Sequence, residues 1–195
     1  MIEKQALKGF ESHDYRPFVR EKTEKLLLEC LKKSKPKRIL EIGTFLGYSA
    51  LLMHENCPEA EIVSVEKDRQ NFEDATENLK STSIKLINDD AMNFLQNYRG
   101  EKFDFIFLDG PKGQYFKYFP LLKDILAENG TLFSDDIFYY GLVEQQGKID
   151  HKHRSIVNNL RKYIELLSND SDFETTFFHI DDGVSVSIKK NASKN

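Results

Sequence analysis

The chain has 195 residues, 39% of them hydrophobic and 31% charged, with 15 Phe and 8 Tyr, which suffices for one packed domain and excludes wholesale disorder. Its two cysteines, Cys30 and Cys57, exclude a disulfide scaffold and lack zinc-site spacing. The net charge of −4 argues against a general nucleic-acid coat, and the absence of an apolar run near the roughly 20 residues of a membrane helix, or of an apolar stretch in MIEKQALKGF, leads us to expect a cytoplasmic protein.

In chain order, residues 18–33 place Val19, Thr23, Leu26, Leu27, Cys30 and Leu31 on one helical stripe. Lysines at its C-terminal end suit the helix dipole, and Pro36 stops it. Residues 38–42 (RILEI) form a short β-rich run ending at Gly43. Residues 62–66 predict a second strand, 69–80 a polar helix, 84–87 a third strand, and Met92, Phe94 and Leu95 a short helix after it. Residues 103–108 (FDFIFL) read as a strand buried on both faces. Residues 121–126 belong to the next helix, with Asn129-Gly130 expected as its C-cap, and 131–134 form a fifth strand. Ile156, Val157, Leu160, Tyr163, Ile164 and Leu167 mark a long amphipathic helix. Asp181-Asp182-Gly183 then joins two β-rich runs, 173–180 and 184–188, as a hairpin. This alternation predicts an α/β fold over 1–195: a doubly wound, mostly parallel sheet with helices on both faces and an antiparallel addition at one edge. The helical segment within 1–35 is expected to pack on the ligand side.

In such sheets ligands bind beyond the carboxyl ends of the strands. After the first strand comes Glu41-Ile42-Gly43-Thr44-Phe45-Leu46-Gly47-Tyr48-Ser49, whose glycines permit close backbone approach but do not make GxGxxG. Glu66 ends the second strand, where a carboxylate can hold both ribose hydroxyls. Asp90-Ala91 follows the third, where the acid can accept from an adenine amino group or simply cap a helix. Asp109 follows the fourth strand and Asp135-Asp136 the fifth; neighbouring strands lie about 4.8 Å apart, so three carboxylates meet. Their repulsion is relieved by a hard cation, and all-oxygen ligands favour Mg²⁺. Lys112, three residues past Asp109, can serve as a base or hold an anionic oxygen.

The stretches EIGTFLGYSA, VSVEKD, NDDA, FIFLDGPKGQY and LFSDDIFYYG resemble the Mg²⁺-dependent, S-adenosylmethionine-using O-methyltransferases, a group that includes catechol and caffeoyl-CoA O-methyltransferases and a bacterial branch acting on tRNA 5-hydroxyuridine. The resemblance runs from about Tyr15 to Lys189. It implies a Rossmann-like class I methyltransferase fold, with a mostly parallel seven-stranded sheet and a C-terminal antiparallel hairpin. It further implies that Glu41, Gly43, Tyr48 and Ser49 surround the methionine part of the cofactor, that Glu66 holds the ribose, and that Asp90 and Ala91 meet the adenine. Asp109, Asp135 and Asp136 would bind Mg²⁺, with Asp109 near cofactor and metal alike and Lys112 as general base. Asp136 departs from the family pattern, which usually has Asn as the last metal ligand. A homodimer is also implied.

The DGPKGQY run and the helix reading RSIVNNLRKYI are similar to the tRNA branch. Lys148, His151, Lys152, His153 and Arg154 could meet phosphates, and Tyr139 and Tyr140 could stack on a flipped anticodon base; a solvated loop and a packed lid are the plainer readings. The earlier cluster of Lys32, Lys33, Lys35, Lys37 and Arg38 reads as a solvated surface. A small catechol or caffeoyl-type phenol is the alternative substrate. A non-catalytic cofactor-binding module and a nicotinamide-dependent oxidoreductase share the fold, but neither accounts for the acid cluster beside Lys112.

Overall fold

A computed structural model of the chain describes residues 3–12 and 18–191, so residues 1, 2 and 13–17 of the expected N-terminal segment lie outside the described residues. Two short 3-10 turns, Lys4–Ala6 and Phe10–Ser12, precede α1 (Glu21–Ser34). The predicted stripe orients that helix, with Thr23, Leu27 and Leu31 buried, and Lys35 ends it in a left-handed conformation at φ 46°. There follow β1 (Arg38–Ile42), α2 (Tyr48–Asn56), β2 (Glu61–Glu66), α3 (Arg69–Leu79), β3 (Lys85–Asn88), α4 (Ala91–Asn97), β4 (Phe103–Leu108), α5 (Tyr115–Ile125), β5 (Leu126–Ser134), α6 (His151–Asn169), β6 (Phe173–Phe178) and β7 (Val184–Lys189). Aspartates accept from backbone N–H groups at the starts of α3 (Asp68), α4 (Asp90) and α6 (Asp150).

The strands form one sheet in the order β3-β2-β1-β4-β5-β7-β6. The first five pair in parallel, while β7 runs antiparallel to both β5 and β6. This is the doubly wound α/β sheet that the alternation predicts, with the seven strands and C-terminal antiparallel hairpin that the resemblance implies. Leu40, Ile42, Ile106 and Leu108 face α4, α5 and α6 in one core. Ile39, Phe105 and Phe107 face α1, α2 and α3 in the other. Alternate residues of each strand therefore serve opposite cores, which is why these strands read as continuous apolar runs. No helix among the described residues is long and apolar enough to cross a membrane.

One local expectation is corrected. Asn129-Gly130 is not the C-cap of α5, which ends at Ile125, where Leu126 begins β5 by pairing with Phe103. The pairing then shifts to Phe105 with Thr131, and the intervening irregularity takes Asn129 to φ 59°. Leu126 is fully buried, so sheet pairing claims the chain before the Asn-Gly pair, whose tolerance of left-handed backbone serves a bulge instead.

Candidate functional site

The strand order reverses between β1 and β4, whose following loops part company at the carboxyl edge of the sheet. A cleft of about 760 Å³ opens there. That volume suits a nucleoside-sized ligand together with a second small group. Gly43, directly after β1, has φ 100°, and a Cβ on it would meet the Asp109 carbonyl oxygen at 2.4 Å. Only glycine lets these two loops lie against each other.

On the β1–β3 side, Gly43, Tyr48, Ser49, Glu66, Asp90 and Ala91 all line the cleft. Glu66 accepts from the Phe45 N–H at 2.8 Å and the Asp68 N–H at 2.7 Å. Burial holds its carboxyl above the usual carboxylate range, and those backbone donors pull it back. Asp90 uses Oδ1 to cap α4 through the Met92 N–H at 2.9 Å, while Oδ2 meets Lys67 Nζ at 2.9 Å. The Lys67 ammonium, chiefly, holds Asp90 below the usual carboxylate range. The Tyr48 hydroxyl donates to Glu24 at 2.9 Å, and its ring packs edge-on against Phe18.

Glu41 stands apart from the other residues expected at the cofactor. It is fully buried on the sheet face under α2, accepting from the hydroxyls of Ser49 and Ser64, and it lies beneath the cleft wall instead of on it. The strand register explains this, since Glu41 pairs with Ser64 and Phe107 and so shares their face. Burial pushes its carboxyl up to about 8, against the pull of the two serine hydroxyls.

On the β4–β5 side, Asp109, Asp135 and Asp136 offer carboxylate oxygens that all lie within 4.8 Å of one another. Tyr115 ties the two strand ends together, its hydroxyl reaching the carbonyls of Leu108 at 3.1 Å and Asp135 at 3.4 Å. Lys112, in the turn before α5, pairs with Asp109 and with Asp136 Oδ2 at 3.2 Å. Burial, then Asp109 and Asp136, hold Asp135 well above the ordinary carboxylate range. Burial opposes the Lys112 charge, but Asp109 and its neighbours outweigh it, so this lysine keeps its proton. Three residues around the cluster adopt positive φ: Asp136 at 55°, Tyr139 at 45° and Tyr140 at 57°. Such strain in a short loop beside a cleft is characteristic of functional sites.

Sequence reasoning did not single out Phe18 or Asp182, which also line the cleft, nor Arg20, bonded to Asp182 at 2.8 Å. Asp182 was visible only as part of a turn, and nothing local ties residue 182 to residue 20. The expected aromatics Tyr139 and Tyr140 do reach the cleft, and the Tyr139 hydroxyl lies 3.2 Å from His153 Nδ1. Of the basic run, His151, Lys152, His153 and Arg154 fall in the first turn of α6.

The chain is similar to proteins already known. A family model described as O-methyltransferase matches residues 15–190. The chain is 28% identical over 177 residues to caffeoyl-CoA O-methyltransferase of Populus kitakamiensis, covering 83% of this chain and 74% of that one. It is 26% identical over 169 residues to flavonoid 3',5'-methyltransferase of Vitis vinifera, covering 80% and 72%. Among solved structures, the SAH-bound methyltransferase PaMTH1 of Podospora anserina is 27% identical with a TM-score of 0.80, over 96% of this chain and 84% of that one. The O-methyltransferase TomG of Streptomyces achromogenes, solved with SAM, reaches a TM-score of 0.83 at 23% identity over 96% and 88%, a likeness of fold.

Proposed function

The chain belongs to the O-methyltransferase family, enzymes that move a methyl group from S-adenosylmethionine to oxygen, and from that premise we propose that its acceptor is a hydroxyl with a vicinal oxygen, presented at Mg²⁺. The substrate we propose is 5-hydroxyuridine at the wobble position of the tRNA anticodon, giving 5-methoxyuridine. The observation that carries the metal reading is the convergence of Asp109, Asp135 and Asp136 within 4.8 Å at one end of the cleft. The donor set suits a hard cation: three carboxylates, with Asp109 raised by burial and Asp136, and Asp135 by burial, Asp109 and Asp136.

In this reading Gly43, Tyr48 and Ser49 border the methionine part of S-adenosylmethionine, with Glu41 bracing Ser49 from below. Glu66 faces the ribose, and Asp90 and Ala91 the adenine. Asp109, Asp135 and Asp136 hold the cation, Asp109 also bordering the cofactor. When bound, the cofactor supplies an electrophilic sulfonium methyl and the cation supplies positive charge that acidifies the acceptor hydroxyl. Lys112 keeps its proton while it bridges Asp109 and Asp136, and in that state it serves to hold an anionic acceptor oxygen. It becomes a proton acceptor only when those carboxylates turn to the cation. The cleft walls align the acceptor with the methyl group, and alignment alone is a large part of such a rate enhancement.

Three features support the RNA acceptor: the resemblance of DGPKGQY and RSIVNNLRKYI to the tRNA branch, Tyr140 at the cleft mouth with 56% of its surface exposed, and the basic first turn of α6. A small catechol or caffeoyl-type phenol is the second reading, favoured by the names of the relatives at 26–28% identity. The test is methyl transfer from labelled S-adenosylmethionine with Mg²⁺ or with EDTA, offered tRNA containing 5-hydroxyuridine and, separately, a catechol panel. Label entering tRNA only with Mg²⁺ supports the proposal. Label entering catechols alone replaces it with the second reading, and transfer undiminished by EDTA removes the metal.

A further inference from the structure

Three distant segments meet at one node beside the acid cluster. Just beyond Asp136, the Ile137 N–H donates to the Gly183 carbonyl at 3.0 Å and the Phe138 N–H to the Asp182 carbonyl at 2.8 Å. Gly183 is packed so tightly that a Cβ would lie 2.1 Å from Phe138 Cδ2, at φ 86°. The β6–β7 turn thereby fixes the backbone that carries the left-handed Asp136. The same turn grips the start of α1. Asp181 accepts from the Thr23 N–H at 2.9 Å and from its hydroxyl at 3.2 Å, while the Arg20 guanidinium donates to Asp182 Oδ2 at 2.8 Å.

Arg20 also lies in the field of the acid cluster. Its charge is strengthened first by Asp182 and then, more weakly, by Asp136 and Asp135, and it acts in turn on Asp109. Among the described residues its guanidinium hydrogen-bonds to Asp182 alone. After Asp182, the charges that act on this guanidinium are the Asp136 and Asp135 carboxylates, and paired, two-pronged contact with a carboxylate is what guanidinium groups form best. Asp109 and Asp136 already share Lys112. A second cationic side chain falling onto Asp135 or Asp136 would leave little of the cluster for a metal.

We infer that Asp182 is a positioning residue that holds Arg20 off the acid cluster, keeping Asp135 and Asp136 available to a divalent cation. This rests on the reading of the cluster as a cation site. It also carries a sign that a merely structural role does not. Without Asp182 the site weakens because Arg20 collapses onto it; without Arg20 the collapse cannot occur, and one repelling charge is gone.

The test titrates Mn²⁺ into the full chain, free of cofactor and acceptor, for wild type, Asp182→Asn, Arg20→Gln and the double variant, with thermal unfolding as the control for folding. Asp182→Asn should weaken Mn²⁺ binding by about 10- to 100-fold, the range for lost partners of metal-site groups. Arg20→Gln should bind Mn²⁺ as tightly as wild type or more so, and the double variant should return to the Arg20→Gln value. All four should unfold cooperatively, with midpoints near that of wild type. If both single variants weaken binding and the double is weaker still, the pair only braces the fold and the inference fails. If Asp182→Asn does not fold, Arg20→Gln still decides, because a weakened site in that variant contradicts the inference. Wild-type protein that binds no Mn²⁺ overturns the cation reading and this inference together, whereas wild-type binding with the wrong sign in the variants overturns this inference alone.

Discussion

At the ends of β2 and β3 each cleft acid finds its partners nearby: Glu66 takes the N–H groups of Asp68 and Phe45, and Asp90 caps its own helix and meets Lys67. At the ends of β4 and β5 the acids find mainly one another and Lys112, and the backbone that carries them is stitched to a turn some 45 residues further along, at Asp182 and Gly183. The first half of the cleft joins short-range contacts, from the Asp68 and Met92 N–H groups, to partners at the neighbouring strand ends, Phe45 and Lys67. The second half concentrates like charge at a price in stability that only a cationic partner relieves. Under the proposed function the contrast separates recognition from chemistry: carboxylates supplied with hydrogen-bond donors serve binding, whereas those crowded by one another mark the reacting end.

The sharpest way to break this comparison is Asp135→Ala. Methyl transfer should fall by about 100-fold or more while S-adenosylmethionine affinity stays nearly constant, as expected when a group acts on the transition state and not on cofactor binding. Steady-state kinetics beside calorimetric titration of the cofactor measure both, and an equal loss of the two would erase the distinction between the halves.

Glu41 gives a subtler test, because it lies under the binding half yet, like Asp109 and Asp135, holds its proton more tightly than an ordinary carboxyl. Its carboxyl is held at about 8 in the fold against an ordinary 4.5, so the folded state favours the protonated form. Its contribution is therefore present below about 4.5 and lost as pH rises through about 8. At about 1.4 kcal/mol for each pH unit of that window, the loss amounts to a few kcal/mol. Denaturant unfolding at a series of pH values should show wild type losing stability relative to Glu41→Gln across this window and running parallel to it above. A pH-independent difference would mean that Glu41 ionises normally.

The smallest effect is expected at Lys67→Ala. Lys67 is 75% exposed and Asp90 41%, so their ion pair is screened by water and its loss should cost under about 1 kcal/mol. Cofactor affinity should change only slightly, and the change should shrink further with added salt. A large, salt-resistant loss would show that Lys67 itself grips the ligand.

Much of this architecture was legible in the residues because its causes are local. RILEI and FDFIFL become β1 and β4 with the boundaries their patterns predict, since an apolar β-rich run between helix-forming segments has few other ways to bury both faces. Glu66, Asp90, Asp109 and Asp136 line the cleft, with Asp135 buried next to Asp136, because a parallel sheet delivers every strand end to the same edge. Asn129-Gly130 misled because the same left-handed tolerance serves a helix end or a bulge, and the choice belongs to Leu126 and its burial.

From its own order of residues, then, the chain determined its periodicities, the α/β alternation, the placing of Glu66, Asp90, Asp109, Asp135 and Asp136 at strand ends, and the motifs that carry its family membership. Only the tertiary structure decided that Glu41 lies beneath the cleft, that Lys112 bridges two of the acids, and that Arg20 meets Asp182 across 162 positions of chain. The division has a physical reason. Periodicity, capping and turn preference are set by neighbours within about one helical turn and leave a trace in the sequence. The depth of a carboxylate, or its distance from a cation brought in by another segment, is set by how whole layers pack, and no short stretch of residues records it.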